Sequence, residues 1–166
     1  TRYAMILDYP SGAPSPIAAV IADYLDGRLT RNDQDANGLP LRLAIAEAGD
    51  LGDSTFGGLQ IDFDTVLAKV SYVGDANLDG QVDALDYERV DLAVGDTGVL
   101  GTALGDLNYD TVVDALDYEQ IDLNIGNGVG APLGLLASSA SLPSTLAGLF
   151  SKKRLDEVSE LWAWTN

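Results

Sequence analysis

Two stretches of the chain, GDANLDGQVDALDYERVDLAVG at 74–95 and GDLNYDTVVDALDYEQIDLNIG at 105–126, are identical at 14 of 22 positions. Each holds six acidic side chains, and the chemistry that their spacing permits is the binding of a cation. Counted from the aspartate after the first glycine, side-chain oxygens fall at loop positions 1, 3, 5, 9 and 12. In the first copy these are Asp75, Asn77, Asp79, Asp83 and Asp86; in the second, Asp106, Asn108, Asp110, Asp114 and Asp117. Alternate side chains of a tight loop can converge on one centre, and position 7 (Gln81, Val112) adds a backbone carbonyl. Six or seven oxygens at about 2.3–2.6 Å suit Ca²⁺. Hard oxygen donors without imidazole or thiolate select Ca²⁺ or Mg²⁺ over zinc or copper, and this many carboxylates favours the larger ion. Two Ca²⁺ sites are therefore expected.

Before any ion arrives, the same carboxylates oppose one another. A pair 4 Å apart repels by about 1 kcal/mol even in water, so metal binding and loop folding are expected to be linked. The copies differ at loop position 6, which is Gly80 in the first and Thr111 in the second. That position calls for a positive φ, free for glycine and costly for a β-branched residue. The second site is expected to be strained and the weaker of the two. Valines at position 8 (Val82, Val113) should anchor each loop to the core, and Asp at position 12 should draw the exit helix close to the ion.

Composition narrows the remaining functions. The chain has 166 residues, a net charge of −17, 46% hydrophobic residues, and neither His nor Cys. That apolar fraction supports a packed core rather than an acidic disordered tail. The charge disfavours nucleic acid and anionic membranes as partners and favours cations. Without His and Cys there is no histidine-based hydrolytic triad, no thiolate zinc site and no iron–sulfur cluster. No apolar run reaches the roughly 18 residues that a membrane span needs, and no signal pattern opens the chain. It begins at Thr1 rather than Met, which fits a processed product or a piece of a longer secreted chain.

The elements that must position the loops follow from periodicity. Residues 2–9 read as a strand, and 10–16 (PSGAPSP) break it. A helix should follow with Ser15 as its cap, Pro16 in its first turn, and Ile17, Val20, Ile21 and Tyr24 on its buried face. Alternating runs at 41–48, 58–63 and 65–73 predict three more strands in one small layer. In each repeat a helix leaves the loop, with Tyr87, Val90 and Val94, then Tyr118, Ile121 and Ile125, on one face that pairs the helices antiparallel. Residues 127–166 hold a charge-poor apolar segment and a helix capped by Ser151, with Leu155, Val158, Leu161 and Trp162 on one face, packing on the chain itself or on a neighbour. The fold class is α+β: a β-rich region over 1–73 with one helix, paired loop–helix repeats over 74–126, and a C-terminal helix.

The duplicated loop followed by a single exit helix resembles the dockerin type I repeat, over residues 74–126. The stretch at 47–80, EAGDLGDSTFGGLQIDFDTVLAKVSYVGDANLDG, is similar to β-rich segments that lead into such repeats in large secreted bacterial proteins without cellulosomes. The resemblance implies two calcium ions, and contact with a cohesin-like partner through loop positions 10 and 11, here Ala84-Leu85 and Ala115-Leu116. It also implies a basic pair at positions 17 and 18, where this chain has Asp91-Leu92 and Asp122-Leu123. That half of the cohesin contact is absent.

No nucleophile elbow, P-loop or dinucleotide fingerprint appears. The Asp62/Asp64 pair reads as a solvated strand edge, so no enzyme is expected. The expected function is an extracellular or cell-surface calcium-binding structural protein that self-assembles as a homo-oligomer into a surface or filamentous structure. In that reading Trp162 and Trp164 are candidate partner contacts, and strand 2–9 is a candidate for completing a neighbour's sheet. The alternative is a docking module that attaches a secreted protein to a cohesin-like partner or to the cell surface.

Overall fold

The computed structural model describes residues 4–29 and 34–130. The apolar segment beyond 130, the expected C-terminal helix, Trp162 and Trp164 lie outside the described residues.

A run rich in β-branched and aliphatic residues, Thr65–Tyr72, forms the middle strand of the main sheet. In chain order, β1 (Ala4–Asp8) and α1 (Ile17–Leu25) come first. β2 (Leu41–Glu47) continues directly into the single turn α2 (Ala48–Leu51). β3 (Thr55–Phe56) and β4 (Leu59–Gln60) make a short ribbon before β5, the Thr65–Tyr72 strand. The paired repeats supply α3 (Ala84–Ala93), a 3₁₀ turn at Thr102–Leu104, and α4 (Ala115–Asp122). The fold is α+β. The main sheet is antiparallel in the order β1-β5-β2, with Leu67 opposite Ile6 on one side and Ala46 on the other.

The expected strand at 58–63 does not join this sheet. Only Leu59–Gln60 is extended, paired with β3. Asp62 turns the chain instead: its Oδ1 accepts the Asp64 N–H at 3.0 Å and the Thr65 hydroxyl at 3.1 Å. At the start of α1 the cap position is Pro16, one residue later than expected, while Ser15 Oγ still accepts the Ile17 N–H at 3.1 Å.

Every residue of β5 is buried, including the polar Thr65, Lys69 and Ser71. On one face Val66 and Ala68 join Ile45 against Ile17, Val20 and Ile21 of α1. On the other, Leu67 joins Ala44 and Ala46 against Phe56 and Ala103. The repeats enter these same clusters: Leu78 packs with Leu67, and Tyr109 packs with Ile45. Beyond them Val70 and Tyr72 share a cluster with Val82, Val90, Val113 and Ile121. The change of pattern at residue 74 is thus no gap in packing.

The repeats hold each other reciprocally. Val90 and Ile121 are fully buried, and the Tyr87 and Tyr118 rings stack with centroids 6.3 Å apart. Tyr87 donates to Asp122 and Tyr118 to Asp91, each at 2.5 Å, so the start of either helix meets the end of the other. Val94 and Ile125, expected on the packed face, are half exposed because α3 ends at Ala93 and α4 at Asp122.

Backbone hydrogen bonds cross in the same way. Val82 donates to Asn127 O at 2.8 Å and accepts from Gly126 N–H at 2.9 Å. Val113 donates to Asp96 O at 3.1 Å and accepts from Gly95 N–H at 2.8 Å. Each loop is closed by the chain that follows the other repeat's helix.

Gly74 and Gly105, the residues before each loop, lie where the two repeats meet. A Cβ on Gly74 would come within 2.8 Å of Gln120 O, and one on Gly105 within 3.0 Å of Arg89 O. Both have positive φ, 99° and 89°. Gly74→Ala should therefore cost about 2 kcal/mol or more. In thermal unfolding that is a Tm lower by about 4–8 °C.

Candidate metal sites in the paired loops

The loops are built by their own aspartates. In the first, Asn77 Oδ1 accepts the Asp79 N–H at 2.9 Å, and Asp79 Oδ1 accepts the Gln81 N–H at 2.8 Å. Asp83 caps α3, its Oδ1 accepting the Leu85 N–H at 2.9 Å. Asp86 reaches back with Oδ2 to the Asp83 N–H (2.8 Å) and with Oδ1 to the Ala76 and Asn77 N–H groups (2.7 and 3.2 Å). Positions 9 and 12 therefore form a capping box. The second loop repeats the pattern through Asn108, Asp110, Asp114 and Asp117. The α4 cap is the same box, built by Asp114 and Asp117.

This engagement sets what the carboxylates can still do. Among the described residues, no three His, Cys, Asp or Glu side chains stand together as a ready metal-holding group. A carboxylate offers about four acceptor sites, and Asp86 uses three of them on backbone N–H groups. Position 1 differs. Asp75 and Asp106 are 1% and 0% exposed, and in each Oδ1 is buried with no hydrogen-bond partner. Their Oδ2 atoms accept from the position-6 N–H, Gly80 at 2.9 Å and Thr111 at 3.3 Å. Two buried anionic oxygens without donors, one per loop, fit a hard cation. Asp75 and Asp106 would hold it, with the side-chain oxygens at positions 3, 5, 9 and 12 and the carbonyls of Gln81 and Val112 available to join them.

The electrostatics agree with that fit. Burial pushes Asp75 up to about 6, against the opposing hydrogen bond from Ser71 and the charge of Lys69. Burial likewise raises Asp86 to about 7, with the Asp75 charge adding to the rise. Asp106 is raised to about 6 by burial and then by Asp117. A divalent ion would remove the cause in each case by compensating the buried charge.

No protein-family model, curated protein or solved structure matches the chain. What the loops do has to follow from their own residues.

At position 6, Gly80 has φ 92° and Thr111 has φ 72°, a left-handed backbone at a β-branched residue. Position 4 is left-handed as well, with φ 61° at Leu78 and 65° at Tyr109. Those two side chains turn into the core. The Tyr109 hydroxyl bridges the free edge of β2, accepting from Ile45 N–H and donating to Leu43 O, both at 2.9 Å. The anchors Val82 and Val113 are fully buried. Ala84, Leu85, Ala115 and Leu116 are exposed at the starts of the exit helices.

Spacing alone does not point to Lys69, Ser71 or Tyr109, yet all three tie the loops to the sheet. Ser71 Oγ donates to Asp75 Oδ2, and Lys69 Nζ donates to Leu78 O at 2.7 Å. A lysine and a serine inside an otherwise aliphatic strand, six and four residues before a loop aspartate, were the available signal.

Two outcomes follow, the first for the metal-free protein. A carboxylate raised from 3.8 to 6 or 7 on folding contributes stability that is present below about pH 4 and is lost as pH rises through its folded pKa. Melting in chelator should therefore occur at a lower temperature at pH 7.5 than at pH 5. In saturating calcium, Thr111→Gly, at an exposed position, should relieve about 1 kcal/mol of backbone strain and raise the Tm by about 2–4 °C.

Proposed function

We propose that the chain is a non-enzymatic, extracellular or cell-surface calcium-binding module of dockerin-like construction, whose two loops are completed by Ca²⁺ and which then assembles with copies of itself. The observation that carries the calcium reading is the pair of buried, unpartnered position-1 oxygens on Asp75 and Asp106. Calcium supplies the positive charge that these oxygens lack, and the aspartates, asparagines and carbonyls of each loop hold it. The net charge of −17 and the all-oxygen donor set support the same ion.

Assembly is supported by the outer faces of the exit helices. Leu85 and Leu92 on α3, Leu116 on α4 and Leu123 just past its end are exposed, Leu92 and Leu123 at 77% and 73%. Two like apolar patches per chain suit repeated contacts between identical copies. The same patches include the Ala84-Leu85 and Ala115-Leu116 pairs, which favours docking on a cohesin-like partner as the second reading. No helix among the described residues is long and apolar enough to cross a membrane.

Calorimetric titration should show two unequal calcium-binding events in the wild type, the weaker one at 106–117. Asp75→Ala and Asp106→Ala should each remove one of them, and a wild type that gives no heat sinks the calcium reading. Sedimentation in calcium and then in chelator separates the two modes of association. Calcium-dependent growth supports assembly, whereas a calcium-loaded monomer that binds a cohesin-like domain supports docking.

A further inference from the structure

Below the first loop, β5 carries two polar side chains into the interior. Lys69 is 4% exposed and Ser71 fully buried. The Lys69 ammonium donates to the carbonyl of Leu78 at loop position 4, and the Ser71 hydroxyl donates to Asp75 at position 1. A buried ammonium is costly unless its charge is compensated, and the Lys69 charge acts directly on the Asp75 carboxylate, favouring its ionised form.

The second loop is tied to the sheet by a neutral group. There the Tyr109 hydroxyl makes the connection, to Leu43 O and Ile45 N–H. Arg42 lies over the Tyr109 ring, 5.0 Å from its centroid. The charges acting most on Asp106 are those of Asp117 and Asp110, both negative. So two loops with nearly the same sequence sit in different electrostatic settings: carboxylates crowd Asp75 and Asp106 alike, but Asp75 also has the charge of Lys69 beneath it.

We propose that Lys69 is a resident countercharge for loop 1, holding it folded without metal, so that calcium enters a preformed first site against a fixed positive charge but folds the second site around itself. This rests on the calcium reading of the loops. It adds a second asymmetry to the one at Thr111. Strain at Thr111 weakens calcium binding to the extent that loop 2 opens when the ion leaves, and loop 2 has no lysine to keep it closed. Loop 1 trades some attraction for readiness. Divalent charge brought near the ammonium is repelled.

The test compares Lys69→Met, which removes the charge, with Lys69→Gln, which removes the charge but keeps an N–H donor for Leu78 O. Each is melted at pH 7.5 in chelator and in saturating calcium, alone and with Asp75→Asn. In chelator both Lys69 variants should melt lower than wild type by about 4 °C or more, and Asp75→Asn should restore most of that loss. Calcium should raise the Tm of both variants by more than it raises that of wild type. A loss equal in chelator and calcium, and not restored by Asp75→Asn, would mean that Lys69 serves only as a hydrogen-bond donor, and the proposal falls. Should Lys69→Met fail to fold in chelator yet fold in calcium, the result supports the proposal. Failure in both, with Lys69→Gln matching wild type, overturns it. A wild type whose Tm ignores calcium defeats the calcium reading, while the chelator arm still decides whether Lys69 and Asp75 are coupled.

Discussion

A carboxylate taken out of water has to be answered by positive charge or by hydrogen-bond donors, and two aspartates here receive only part of that answer. Asp75 and Asp106 sit at the floor of their loops, each with one oxygen accepting a backbone N–H and one facing no donor. The effective penalty for such burial runs to several kcal/mol per uncompensated ion. Much of the surrounding construction bears on this penalty. The capping boxes fix the far ends of the loops, the buried valines press them onto the sheet, and the left-handed residues at positions 4 and 6 close the turn.

The duplication gives that construction its economy of parts. Because Val82 is paired with residues after α4 and Val113 with residues after α3, neither loop has a complete backbone hydrogen-bond set by itself. Gly74 and Gly105 let the facing helix backbone approach closely enough for this exchange. The sheet then distinguishes the two halves. It meets loop 1 through Lys69 and Ser71 and loop 2 through Tyr109, so an internally repeated sequence becomes an asymmetric structure.

Much of the loop was legible in the sequence because its residues answer to local rules. The D-x-N-x-D run, the position-8 valines and the helix after Asp83 each depend on neighbours within a dozen residues. At Asp86 and Asp117 one local pattern carries two readings, since D-x-x-D at a helix start suits a ligand pair and also a capping box, and the box is present in both copies. Residues 58–63 alternate like a strand, but Asp62 competes for the backbone and turns it. Lys69 and Ser71 escaped notice for a non-local reason. A strand with alternating polar residues normally shows one face to water, whereas β5 is central and covered on both faces, a fact settled by residues far away in the chain.

The crossed pairing also has a mechanical consequence. Tension entering from the C-terminal side of the described chain meets Gly126 and Asn127 first, and these are bonded to Val82 in the first loop. The pull therefore bypasses the nearer repeat and is delivered to the loop that rests on the central strand through Lys69 and Ser71. An attachment under tension beyond residue 130 would thus be anchored in the interior of the sheet, by way of the more distant of the two loops.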